Sequence, residues 1–266
     1  MKISKLLVLL FSFILYSCDP DSYEILSNVT TYKVAVVMPQ ERQNEWERIA
    51  DWALQNIANA QVGLPEQVRL NIEWHDENSS DLEIWLKNVA NDNSYVAVVG
   101  PYSSSQAHTA AEICGKSGKT LILPIATSAE LQRIYAGKSN IWNLSQSDIN
   151  QCELMLAQAV ISESTSVSLL TTDDDYGRSF SDWFAYQAVE LGLNVGFICS
   201  SENDVKTAVS RIASGFRYNQ HLLLAPSKER FAVTFDTEVN RLKESTEQFK
   251  FPHIICSDVM RSLALA

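Results

Sequence analysis

Apolar and polar positions alternate along this chain in a regular order of short β-like runs and longer helical stripes. "KVAVVMP", from Lys33, is a β-branched apolar run. After it, Trp46, Ile49, Ala50, Ala53, Leu54 and Ile57 recur at the spacing of one helix face turned to a core. "RLNIEWHDE" reads as the next strand and residues 80–92 as a helix. "YVAVVG" is apolar throughout, the pattern of a strand buried on both faces. The helix that follows carries Ala107, Ala110, Ala111 and Cys114 at helical spacing, small enough to lie close against a sheet. "TLILP" is the fourth strand.

A shorter segment, "NIWNLSQSD", leads into a helix at 148–162, and the order then restarts. "SVSLLTT" precedes a helix at 177–192, "NVGFIC" one at 203–214, and "HLLLAP" one at 227–247, before "FPHIIC". Strands alternating with helices predict a parallel sheet with helical cover. The expected fold class is therefore α/β, with two Rossmann-like lobes joined near residue 146. The N-terminal lobe spans 32–146 and the second lobe 147–266. Ligands of such sheets sit outside the strand C-termini, so a cleft is expected between the lobes.

The first residues are not part of that pattern. "MKISKLLVLLFSFILYSCD" has a short basic start (Lys2, Lys5), an apolar run and small Ser17, the features of a secretory signal and too short for a dependable membrane span. Leu15-Tyr16-Ser17-Cys18 resembles the lipobox of bacterial lipoproteins, although Tyr16 is larger than the residue usual there. This implies a signal peptide over 1–17, lipidation of Cys18, and an acidic polar tether over 18–31. The protein is then exported and lipid-anchored at the cell envelope, on a periplasmic or surface face.

An apolar content of 46% with 20% charged residues describes a folded chain. A formal charge of −11 argues against nucleic acid, whose binding needs a basic stripe. Cys114, Cys152, Cys199 and Cys256 lie on separate elements with no CxxC spacing and read as buried free thiols, with no metal site.

Chemistry concentrates in "VVGPYSSSQAHTAAEICGKSGKTLILPIATSAEL", where hydroxyl-rich turns follow two successive strands. No G-x-S-x-G surrounds Ser103–Ser105, and His108 lies along the same helix, so a hydrolytic nucleophile is not supported. With nine glycines and neither G-x-G-x-x-G nor G-x-x-x-x-G-K-[ST], no nucleotide cofactor is expected. What remains is a hydroxyl-bearing helix N-terminus, which favours an anion, or a serine that only caps its helix.

That stretch, together with "NIWNLSQSDINQ" and "SVSLLTTDDDYGRSFSDWFAYQAVELGLNV", resembles the type I periplasmic binding-protein family. The likeness is greatest to the receptors of branched-chain amino acids and amides. The family's signatures are G-P-x-x-S-S, S-x-A-T-S-x-E-L, an R-x-x-P-S-D crossover and D-x-x-Y-G, and the crossover here departs from its pattern by reading "WNLSQSD". The resemblance implies a non-enzymatic receptor that captures an amino-acid-like ligand between lobes for an ABC permease or a sensor. It implies that Ser104 holds a ligand carboxylate, that the Thr127 hydroxyl binds the carboxylate or the amine, that the Ile125 carbonyl and Asp258 receive an ammonium, and that Tyr176 closes over the ligand. Trp46 and Tyr102 would pack on its side chain.

Two further features depart from the family pattern. "PQERQNEW" is bulky and charged where the family's first loop carries glycine and serine. The family's chain also returns to its first lobe after a strand like "PHIIC", so a C-terminally truncated chain is expected. The altered loop keeps an alternative open, in which the same fold serves as a protein-interaction module in the envelope, for instance a regulator of peptidoglycan synthesis. An open polar cleft favours solute capture, whereas one filled by Trp46, Tyr102 and Arg42 favours the module.

Overall fold

In the computed structural model, which describes residues 29–59, 68–215, 219–247, 249–258 and 260, the alternation becomes two parallel sheets. The first part contains β1 (Thr30–Met38), α1 (Gln43–Asn59), β2 (Val68–Asp76), α2 (Leu82–Asn91) and β3 (Tyr95–Val99). It continues with α3 (Ser104–Ser117), β4 (Thr120–Leu123), α4 (Ala129–Tyr135) and β5 (Ile141–Asn143). The second begins with α5 (Asp148–Ile161), β6 (Ser166–Thr171), α6 (Asp175–Glu190), β7 (Asn194–Cys199) and α7 (Val205–Ser214). It ends with β8 (Gln220–Ala225), α8 (Glu229–Ser245) and β9 (His253–Cys256). Strand order is β2-β1-β3-β4-β5 in one sheet and β7-β6-β8-β9 in the other. Each order reverses once, at β1/β3 and at β6/β8, and opens a crevice above the strand C-termini there. Cys18, with the expected signal peptide and most of the tether, lies outside the described residues.

The central strands of the second sheet, β6 and β8, are buried on both faces, which explains their near-continuous apolar runs. Val167, Leu169, Leu223 and Ala225 pack with Phe180 and Phe184 of α6 and with α5. Their neighbours Leu170, Leu222 and Leu224 turn the other way, onto α7 and Phe231 and Phe235 of α8. Phe180, Phe184 and Phe231 are fully buried, and each contributes roughly 1.5–3 kcal/mol by area. In the first sheet, Ala107, Ala110, Ala111 and Cys114 of α3 are all at 0% exposure against β1, β3 and β4. Their small side chains let the helix backbone come close.

Four readings of the sequence change. None of the described side chains of α1 is buried, and Ile49 and Ile57 are exposed, so its apolar stripe is not seated in the core. β3 is not covered throughout: Val96 is the extra residue where the register with β1 shifts, and it faces solvent. Cys256 ends strand β9, at the margin of the described sheet, and is exposed, while Cys114, Cys152 and Cys199 are buried free thiols. Helix α4 and edge strand β5 were not read as elements; both are short, and the strand has only three residues to show a period.

Candidate functional site

Two glycines shape the loops that build the site. Gly100, at φ +91°, donates its N–H to the Ile122 carbonyl, and a Cβ there would run into the Val37 carbonyl. Only glycine fits where the chain leaves β3 so tightly against β1. Gly177, in the first turn of α6, donates its N–H to Asp174 Oδ1 at 2.9 Å, and a Cβ on it would strike the Thr172 carbonyl. The D-x-x-Y-G signature is thus a capped helix start drawn against its own strand.

A cavity of about 700 Å³ lies where the C-terminal ends of the two sheets meet. Each loop that lines it follows a strand. Pro39, Glu41 and Arg42 come after β1, Glu77 and Asn78 after β2, Tyr102 to Gln106 after β3, and Ile125 to Thr127 after β4. From the second sheet come Asp174 and Tyr176 after β6, Ser227 to Glu229 after β8, and Asp258 after β9. Six of the seven ligand-contact candidates, Ser104, Ile125, Thr127, Tyr176, Asp258 and Tyr102, therefore share one lining. Trp46 stands outside it, half-buried on α1.

The hydroxyls of the first loop divide the work. Ser103 is the N-cap of α3 and accepts from the Gln106 N–H at 3.4 Å. Ser104 and Ser105 are freed from capping. Ser104 Oγ accepts from the Ser128 N–H at 3.4 Å, and Ser105 Oγ reaches the other lobe, accepting from the Asp175 N–H at 3.4 Å. Ser179 of α6 returns the contact by accepting from the Ala129 N–H at 3.2 Å. The N-termini of α3 and α6 are thereby joined through the Ser105 hydroxyl, and the first turn of each helix contributes to the cavity lining.

Tyr176 is more deeply placed than a lid residue. It is 6% exposed, packs in the second lobe's core beside Phe180, and donates its hydroxyl to Gln151 Oε1 at 3.2 Å. Burial pushes its phenol pKa up. Asp173 and Asp175 pair with Arg178, while Asp174 caps α6 and accepts from the Ser227 hydroxyl. Arg42 lies 5.1 Å over the Tyr102 ring, a cation–π pair that forms one wall and leaves the cavity open.

Sequence reasoning missed two carboxylates. Glu77 is 3% exposed, and its Oε2 accepts from the Tyr102 N–H at 2.6 Å and the Ser103 N–H at 3.1 Å. Burial outweighs those donors and raises its pKa. Asp148, the first residue of α5, is fully buried, and its own N–H donates to the Thr127 carbonyl at 2.9 Å. The signals were present: an acid ending strand "RLNIEWHDE", and the aspartate of "SQSD" at the crossover.

Comparison with known proteins follows from this geometry. Residues 49–230 match the family described as the receptor family ligand binding region. The chain belongs to that family. It is a family of ligand-binding regions, and its chemistry is capture rather than catalysis. No curated protein matches the chain in sequence. Among solved structures it is similar to an ABC transporter substrate-binding protein from Desulfitobacterium hafniense in complex with Leu, at 18% identity and TM-score 0.64, over 85% of this chain and 66% of that one. It is similar to the branched-chain amino acid transporter substrate binding protein LivJ from Streptococcus pneumoniae in complex with isoleucine, at 18% identity and TM-score 0.67, over 85% and 64%. A solute binding protein from R. palustris in complex with 4-hydroxybenzoate matches at 12% identity and TM-score 0.68, over 86% and 62%. These likenesses establish the type I periplasmic binding-protein fold for this receptor-family chain, which spans less than two thirds of the length of those structures. Among the described residues no helix is long and apolar enough to cross a membrane.

Proposed function

We propose that the chain is an extracytoplasmic solute receptor, anchored through a lipid on Cys18, that captures a small carboxylate ligand between lobes 32–146 and 147–266. The captured molecule is an amino acid or a small aromatic acid, passed to an ABC permease or read by a sensor. One observation carries this reading: a cavity of about 700 Å³ of mixed polar and apolar lining is formed by strand-end loops of both sheets, and neither Tyr102 nor Arg42 fills it. Ser104 and Thr127 supply hydroxyls for the ligand carboxylate, and the N-terminus of α3 supplies the favourable potential. The Ile125 carbonyl and Asp258 receive an ammonium, and Tyr102 offers a ring face to the side chain. Leucine, isoleucine and 4-hydroxybenzoate, bound in the similar structures, make the first panel.

Calorimetric titration of the full chain with the standard amino acids, their amides and hydroxybenzoates tests the proposal. At least one should bind, and Ser104→Ala and Thr127→Ala should each weaken it roughly tenfold, the loss of one hydrogen bond to a charged group. No binding by any of the panel overturns the reading. The interaction-module alternative draws on one feature, the exposed Ile49, Trp52 and Ile57 of α1, and predicts an indifferent cleft.

A further inference from the structure

Asp148 sits behind the cavity wall at 0% exposure, and neither carboxyl oxygen has a hydrogen-bond partner. A buried ionised carboxylate without partners is costly, so such a group is either neutral or about to be paired. Its place at the start of α5 favours the charge through the helix dipole, and the Thr127 and Ser179 hydroxyls lie close enough to favour it as well. Burial wins: the carboxyl is pushed up to about 6, with the carboxylates of Asp258 and Asp174 adding to the rise. Those hydroxyls are near but not in hydrogen-bonding geometry, and each can reach it by a small shift of the side chain.

Thr127 lines the ligand cavity in front and is tied by its backbone carbonyl to the Asp148 N–H behind. Its hydroxyl has one proton to give. If Asp148 is ionised, it draws that proton, and Thr127 can only accept from a ligand. If Asp148 is protonated, it donates to Thr127 Oγ1 and releases the threonine proton toward the cavity. We propose that Asp148 is a positioning residue whose protonation turns the Thr127 hydroxyl into a donor for a ligand carboxylate, so that capture of an anionic group is coupled to proton uptake. This rests on the solute-receptor reading of the cleft.

The other groups facing Asp148 do not supply that proton. Cys152, one turn along α5, is raised to about 12, and Tyr176 on α6 is raised by burial, so both stay neutral through the acid-to-neutral range. Ser179 does not titrate, and Asp174 and Asp258 act on Asp148 as like charges. A ligand carboxylate arriving at Thr127 adds one more like charge and raises the Asp148 midpoint further. The sign follows. The bound state holds the proton more tightly, so affinity is highest below about pH 6 and falls as pH rises toward the bound midpoint. If binding lifts that midpoint from about 6 to about 7, Kd rises about fivefold between pH 5 and pH 7.

The test is calorimetry of the full chain with the tightest member of the amino-acid and hydroxybenzoate panel, run at pH 7 in phosphate and in Tris. Because the two buffers differ in ionisation enthalpy, the difference in heat counts protons taken up. Wild type should take up about 0.4 of a proton at pH 7, the amount that a midpoint moved from about 6 to about 7 gives, and show the pH-dependent Kd. Asp148→Asn, which is isosteric and permanently neutral, should bind with the low-pH affinity, take up none, and show a flat profile from pH 5 to pH 7. Binding without proton uptake by the wild type overturns this inference and leaves the receptor reading intact, whether or not the variant folds. Equal uptake in wild type and variant also overturns it, and a panel that fails to bind at any pH removes the receptor reading together with this one.

Discussion

Replacing Glu77 with alanine takes away the carboxylate that holds the loop after β3. Its Oε2 accepts two backbone N–H groups, at 2.6 Å and 3.1 Å, in a site where the residue is 3% exposed. A hydrogen bond to a charged group contributes about 1.5–3 kcal/mol, and a buried donor left unpaired costs about 1–3 kcal/mol. Water entering the vacated space recovers part of this, so Glu77→Ala is expected to lose about 2–4 kcal/mol. Glu77→Gln keeps an acceptor oxygen for both donors and removes only the charge. Because burial raises the Glu77 pKa, the charged form is the less favoured one in the fold. The stability this group contributes is complete below its ordinary value of 4.5 and declines as pH rises through the raised folded value. The glutamine variant should therefore stay within about 1 kcal/mol of wild type near neutral pH. Urea denaturation followed by circular dichroism reads both, with ligand titration beside it, since Ser104 follows the loop that Glu77 holds. An alanine variant within 0.5 kcal/mol (about the noise of such a measurement) would falsify the assignment of Glu77 as the loop's anchor.

Other outcomes follow from the same contacts. Gly177→Ala places a methyl against the Thr172 carbonyl, 2.7 Å from its carbon and 2.9 Å from Thr171 Oγ1, and is expected to destabilise by more than about 3 kcal/mol, read as a fall in thermal midpoint or in soluble yield. Maleimide labelling of the native protein should modify exposed Cys256 and spare Cys114, Cys152 and Cys199 until urea is added. Their thiols are buried and their pKa values raised, to about 11 for Cys114 and about 12 for Cys152, so rapid native labelling of these would contradict the packing.

The second lobe was legible because its central strands β6 and β8 are buried on both faces and its helices carry strong stripes, so local pattern and tertiary burial agree. The burial of the first helix was not, because Trp46, Ile49 and Ile57 have a core-like spacing whether or not a sheet lies beneath them. Periodicity records which residues share a face, and says nothing of how deeply that face is covered. Ser103 illustrates the same limit at the site. A run of three serines identifies a helix start, but the backbone turn decides which hydroxyl caps it, which holds the neighbouring loop and which crosses the cleft.

The order of strands and helices, the hydroxyl-bearing loops and the family signatures belong to the sequence, because they depend on neighbours a few residues apart. Bringing residues 42, 104, 127, 176 and 258 to one cavity belongs to the tertiary structure, because parallel strands collect their C-terminal loops at one end of each sheet from positions far apart in the chain. The buried states of Glu77 and Asp148 belong there too. An acidic residue is ordinary in sequence, and only the removal of water around it makes it an anchor or a proton site.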